Sequence, residues 1–150
     1  MTADLIFAFL HFAGAFTLFG ALFAQAALLM TGPGKVSYGR LVRMDIVFGV
    51  SAALVLVAGL LRVFYGGRGA DFYLQNPAFH LKLTLFVAIA LISIAPTVTL
   101  LKWRRAAKSD PAFLPEPKAV KRVKMLVHVE LTLLAVLILA ASVVPRYFAL

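Results

Sequence analysis

Residues 5–30 read LIFAFLHFAGAFTLFGALFAQAALLM, 26 consecutive positions without Asp, Glu, Lys or Arg. A helix rising about 1.5 Å per residue needs about 20 apolar residues to cross about 30 Å of hydrocarbon, so this stretch is a full membrane span. A signal peptide is the competing reading, because Ala24-Gln25-Ala26 has the small-x-small look of a cleavage site. The run is too long for a signal-peptide core, and Asp4 stands where a basic flank belongs. The whole chain agrees with lipid as its solvent: 63% of the 150 residues are hydrophobic and mean hydropathy is +0.97. That leaves too little polar surface to coat a soluble globule.

Three further apolar runs follow. The second is uncharged from Ile46 to Leu61 and is bracketed by Asp45 and Arg62; it predicts a helix over about 45–64 with Arg62 snorkelling outward. The third, 79–101, carries His80 and Lys82 in its first turn and Pro96 inside it. Proline removes one backbone hydrogen bond and predicts a kink. The fourth, 125–144, has His128 and Glu130 in its first two turns, and Pro145 closes it. The expected fold class is therefore all-α, an integral membrane four-helix bundle forming a single transmembrane domain over 1–150. Between the spans, Thr31 to Met44 with Gly32-Pro33-Gly34, Tyr65 to Ala78 with Gly66, Gly67 and Gly69, and Lys102 to Lys124 with Pro111, Pro115 and Pro117 read as loops.

The formal net charge of +9 is distributed unevenly. Eleven of the 15 basic residues fall in the first and third loops: Lys35, Arg40, Arg43, Lys102, Arg104, Arg105, Lys108, Lys118, Lys121, Arg122 and Lys124. Arg62, Arg68, Lys82 and Arg146 make up the other side. Short loops rich in Lys and Arg stay cytoplasmic, so both termini are expected to be non-cytoplasmic. Tyr65, Phe72, Tyr73, Tyr147 and Phe148 would then form an outer aromatic belt, with Tyr38 and Trp103 the inner one. Basic residues placed between apolar runs serve topology and attract anionic lipid, so nucleic acid is not an expected partner. The expected surroundings are the bilayer of a cell membrane, a bacterial inner membrane crossed several times, with a second copy or another membrane protein as candidate partner. The absence of cysteine excludes disulfides, thiolate metal sites and covalent c-type haem.

Polar residues at membrane depth are costly and therefore informative. They form two groups: His11, Arg62, His80 and Lys82 towards the outer side, and Gln25, Asp45, His128 and Glu130 towards the inner. His11, Ala15, Leu18, Leu22 and Gln25 fall on one stripe of the first helix, with Gly14 and Ala21 beside it, and that stripe should face the bundle. His80 and Lys82 are two residues apart, about 200° around a helix, so only one of them can face the interior. The same holds for His128 and Glu130. Glu130 reads either as a carboxylate pairing with Arg43 or Lys124 or as a proton- or ion-handling group, and Asp45 as a cap-like residue in the first turn of its helix. For His11 an interhelical hydrogen bond and ligation of a metal or haem both stay open. Met30, Met44 and Met125 could be read as copper ligands, and equally as chance.

The order of these features is also familiar. The early His11, Leu61-Arg62-Val63-Phe64-Tyr65-Gly66-Gly67, Asn76-Pro77, Phe79-His80-x-Lys82-Leu83 and Trp103-Arg104-Arg105 resemble the bacterial membrane family catalogued as domain of unknown function 2214, over nearly the whole chain. A fainter likeness links His11 with Gly20-Ala21-Leu22-Phe23, and His80-x-Lys82-Leu83, to the HemJ-type protoporphyrinogen oxidases and, for the first helix, to CopD-type copper-resistance membrane proteins. Ser93 and Ile94 stand where the oxidases have a histidine, and alanines around Ala26 where they have an arginine. This resemblance implies haem b, with His11 and His80 as candidate metal ligands and Arg62 or Lys82 pairing the propionates. Bis-histidine ligation requires similar depth. His11 lies six residues past Leu5 and His80 one past Phe79, a mismatch of about 7 Å. The functional expectations are thus a haem-binding redox or porphyrin-handling protein, a non-catalytic membrane subunit or assembly factor, and a small transporter or channel component.

Overall fold

The computed structural model describes residues 2–32, 37–66 and 69–149, with side chains over 3–32, 37–66 and 69–146. Pro33, Gly34, Lys35, Gly67, Arg68 and the side chains of Tyr147 and Phe148 lie outside that description. The described residues form helices and no strand: α1 Thr2–Met30, α2 Tyr38–Tyr65, α3 Ala70–Leu74, α4 Pro77–Ser109 and α5 Pro117–Val143, closed by a 3-10 turn over Val144–Ala149. α1, α2, α4 and α5 are each long and apolar enough to cross a membrane.

Three of these helices overrun their apolar runs at the basic end. α2 starts at Tyr38 instead of near Asp45, α4 continues past Leu101 to Ser109, and α5 starts at Pro117 instead of near Met125. Hydropathy marks the hydrocarbon core, whereas the helix continues through the headgroup region, where a solvated Lys or Arg costs nothing. The 28 residues of α2 extend about 42 Å, matching the roughly 40–45 Å of a bilayer with its headgroups. Local chemistry sets the ends. Pro117 opens α5 at a position where a missing N–H is harmless. Asn76 caps α4, its Oδ1 accepting from the N–H groups of Ala78 and Phe79, with Pro77 next to it. α4 runs on through Pro96, which is buried. The segment read as a loop from Tyr65 to Ala78 contains α3, a single short helix.

The spanning helices pack in a ring, α1 on α2, α2 on α4, α4 on α5 and α5 on α1. α1 buries Leu18, Ala21, Leu22, Gln25, Ala26 and Leu29, the i, i+3, i+4, i+7 spacing of one helical face. α5 buries Val120, Val123, Val127, Glu130, Leu134 and Leu137, steps of three and four that place Glu130 in a core seat. At Gly14 an added Cβ would lie 3.0 Å from Val55 Cγ2, so the missing side chain lets α1 and α2 approach closely. The expected stripe on the first helix therefore does face the bundle.

One end of the ring gathers the start of α1, the end of α2, the start of α4 and the end of α5. Asp4 Oδ1 is 3.8 Å from Arg62 Nε, and Asn76 Nδ2 donates to the Val144 carbonyl at 2.8 Å. At the opposite end Tyr38 packs edge-on against Trp103 and Phe113. The ends of the described chain thus share one end of the bundle, and the basic segments lie at the other.

Candidate functional site

Two polar clusters occupy the interior. The first surrounds His11, whose ring lies on the backbone of α2. Its Nδ1 is 2.9 Å from the Val55 carbonyl and its Nε2 is 3.4 Å from Lys82 Nζ. A carbonyl only accepts, so Nδ1 carries a proton and donates to Val55, which leaves Nε2 as the atom that meets Lys82. Gly59 makes the seat: a Cβ there would stand 3.2 Å from His11 Cε1 and 3.3 Å from Nδ1. Arg62 lies one turn beyond Gly59 on α2, half-buried beside Asp4. Lys82 therefore faces the interior and His80 does not. His80 is exposed, and its Nε2 donates to the Leu74 carbonyl at 2.8 Å.

The structure thus brings His11, Arg62 and Lys82 together and leaves His80 on the outside of α4. A pair of imidazoles around one iron does not fit this arrangement, because the α4 turn that directs Lys82 inward directs His80 outward. Among the described residues no three of His, Cys, Asp and Glu gather in a way that could hold a metal ion. Met30 and Met125 are exposed on the helix surface.

The second cluster centres on Asp45, which is buried two turns into α2. Its expected place in a first turn is corrected by the earlier helix start at Tyr38. Gln25 Nε2 and Thr97 Oγ1 both donate to Asp45 Oδ1, at 3.3 and 3.0 Å, joining α1, α2 and α4. Glu130 is the buried carboxyl group of α5. It is 2% exposed, and its Oε1 is fully enclosed without a hydrogen bond. The expected pairing of Glu130 with Arg43 or Lys124 is not made. Arg43 is exposed, and among the described residues the ion pair formed is Asp4 with Arg62. Helical geometry explains the miss: Lys124 lies six residues before Glu130, about 240° away around α5. His128 is exposed and bonds the Lys124 carbonyl of its own helix, so it is not part of the cluster.

Sequence reading missed two contributors, Thr97 and Asn76. Thr97 sits three residues before the buried Leu100, and that shared face was its signal. Asn76 before Pro77 carried a helix-start signature, but its tie to Val144 spans 68 residues and has no local trace.

Chemically, the interior holds two buried carboxyl groups, Asp45 on α2, held by neutral donors, and Glu130 on α5, with an enclosed oxygen that no donor reaches, and among the described residues neither forms an ion pair. An ionised carboxylate at such depth costs about 2.5–3.5 kcal/mol even on the lenient insertion scales, so two bare charges in this interior are disfavoured. No curated protein and no solved structure matches the chain. The sequence pattern of one family matches residues 3–147, which agrees with the four spanning helices described above, and the chain belongs to that family, the predicted membrane proteins catalogued as DUF2214.

Proposed function

We propose that this multi-pass membrane protein handles protons or small cations, with Asp45 and Glu130 as the binding pair and Gln25 and Thr97 as the groups that orient Asp45. The observation that carries the reading is Glu130 Oε1, enclosed in a core seat of α5 without a hydrogen bond. An intramembrane ionisable residue that pays no structural role in pairing marks an ion pathway more often than a packing device. The basic end of the bundle is taken as cytoplasmic from its Lys and Arg content. In liposomes carrying a trapped pH-sensitive dye, the wild-type protein should dissipate an imposed proton gradient, and Glu130→Gln and Asp45→Asn should each abolish the excess flux. Wild-type liposomes no leakier than empty ones, or full flux in the Glu130→Gln variant, would refute the proposal.

A second reading, a b-type haem protein, rests on His11 alone. Its Nδ1–H is fixed on a backbone carbonyl, the usual outer partner of a metal-ligating imidazole, and Nε2 points inward with Lys82 and Arg62 at hand for carboxylates. When bound, the haem would supply one-electron chemistry. An absorbance band that His11→Ala removes and His80→Ala leaves unchanged would support it; colourless protein expressed with ample haem would end it.

A further inference from the structure

The outer surface of α4 and α5 is not evenly filled. A groove of about 730 Å³ runs between them, within the roughly 300–1,000 Å³ usual for ligand sites. Its floor is made where two small residues, Ala95 on α4 and Ala119 on α5, leave room above the buried Val123. Its α4 wall runs from Leu91 to Thr99, eight residues or about 12 Å. That is close to the depth of one leaflet, half of the roughly 30 Å hydrocarbon core.

The two ends of the groove differ in chemistry. Towards the bilayer centre it is lined by Leu91, Ile94 and Leu126. At the basic end of the bundle its mouth carries Lys118 and Arg122, four residues apart and therefore on one face of α5, with Glu116 beside them. Lys118, Arg122 and Glu116 are all exposed, and neither cation forms an ion pair among the described residues. One carboxylate against two cations leaves the mouth net positive.

From this we infer that the α4–α5 groove is a specific seat for one anionic phospholipid, its phosphate on Lys118 and Arg122 and one acyl chain lying over Ala95 and Ala119. The charge selects the headgroup and the depth selects the chain. A free phosphate would leave the apolar wall unused, and a helix from a second copy would leave the two cations without a countercharge. Basic pockets between spanning helices at the membrane surface recognise anionic headgroups by this same division. The inference stands apart from the carboxyl pair, which lies on the inner faces of the helices.

The test uses the full-length protein in a neutral detergent, titrated with phosphatidylglycerol or with phosphatidylcholine, with retained lipid counted by native mass spectrometry. One phosphatidylglycerol per chain should be retained in preference to phosphatidylcholine. Each lost charge should weaken binding about fivefold, so Lys118→Gln with Arg122→Gln should weaken it roughly 25-fold. Arg146→Gln, which removes an exposed charge at the opposite end of the bundle, should leave affinity within about twofold of wild type, as expected when charge acts only within a Debye length of the bound headgroup. Ala95→Leu with Ala119→Leu should lose the lipid with both cations intact. Equal retention of the two lipids, equal losses in the two charge variants, or undiminished binding in the filled groove would overturn the inference. Should overpacking prevent folding of the leucine variant, the two charge variants decide the matter alone, since they alter exposed positions only.

Discussion

Replacing Glu130 by leucine tests whether its carboxyl group is unpartnered in the core, and the structure fixes the sign. Glu130 occupies a seat between Val127 and Leu134 that the α5 pattern assigns to an apolar residue. Its Oε1 is enclosed and makes no hydrogen bond. A buried polar group without a partner costs about 1–3 kcal/mol, and leucine at the centre of a span is favoured by about 0.3–0.6 kcal/mol. Glu130→Leu should therefore raise stability by about 1–3 kcal/mol, whereas Glu130→Gln, which keeps an unsatisfied amide, should stay within about 1 kcal/mol of wild type. Unfolding by SDS in mixed micelles, followed by circular dichroism, measures both. The same leucine variant should lose proton flux. A residue that only packs would move stability and flux in the same direction, whereas a functional carboxyl group moves them in opposite ones. Destabilisation of Glu130→Leu by more than about 1 kcal/mol would mean that the carboxyl group has a cross-helix partner, and the reasoning would fail.

Other expectations follow from named contacts. Asn76→Ala removes the cap of α4 and the tie to Val144 together, and should cost about 2–4 kcal/mol in the same unfolding assay. Gly14→Val should overpack the α1–α2 contact at Val55 and cost about 1–3 kcal/mol, while Gly20→Ala, which meets nothing within 4 Å, should be neutral or stabilising. Gly59→Ala should shift the imidazole resonances of His11 in nitrogen-15 spectra, and Gly49→Ala, whose added methyl meets open space, should leave them unchanged. A cysteine at Lys108 should be shielded from a membrane-impermeant reagent in intact cells and one at Gly69 labelled; the reverse would invert the orientation.

The spanning segments were legible because lipid imposes one simple demand, a long apolar run, and Leu5 to Met30 meets it without a charge. Interior faces were legible too, since helical periodicity alone separates Lys82 from His80 and Glu130 from His128. Two things were not. Helix ends in the headgroup region leave no hydropathic mark, which is why Asp45 read as a first-turn residue. Cross-helix partners depend on rotation and reach that no local pattern encodes. Arg43 is exposed and makes no pair with Glu130, and Thr97, an ordinary residue beside a proline, turned out to be a donor to Asp45. The paired-histidine expectation failed on direction, because the turn of α4 that brings Lys82 to His11 carries His80 outward to the Leu74 carbonyl.

The distance between the two clusters constrains any transport mechanism. His11 and Gln25 lie 14 residues apart on the same face of α1, about 21 Å. Between them that face presents Leu18 and Leu22, buried at 3% and 0% exposure, closed from the other helices by Phe48, Ile89 and Leu134. A proton cannot cross such a layer without water, and water does not enter an apolar cavity without polar groups to hold it. On the proposed reading this bundle is the closed form, with Asp45 and Glu130 shut off from the Asp4–Arg62 end by that layer. Opening must part helices that pack through this layer, and the α1–α2 contact at Gly14 is too close to slide cheaply. α4 is the better candidate to move: it buries few side chains, Ile89, Pro96, Leu100 and Trp103, and Pro96 has already removed one of its backbone hydrogen bonds. Thr97, next to that proline, is the α4 group that holds Asp45, so displacement of α4 at Pro96 and release of the Asp45 carboxyl group would be one event.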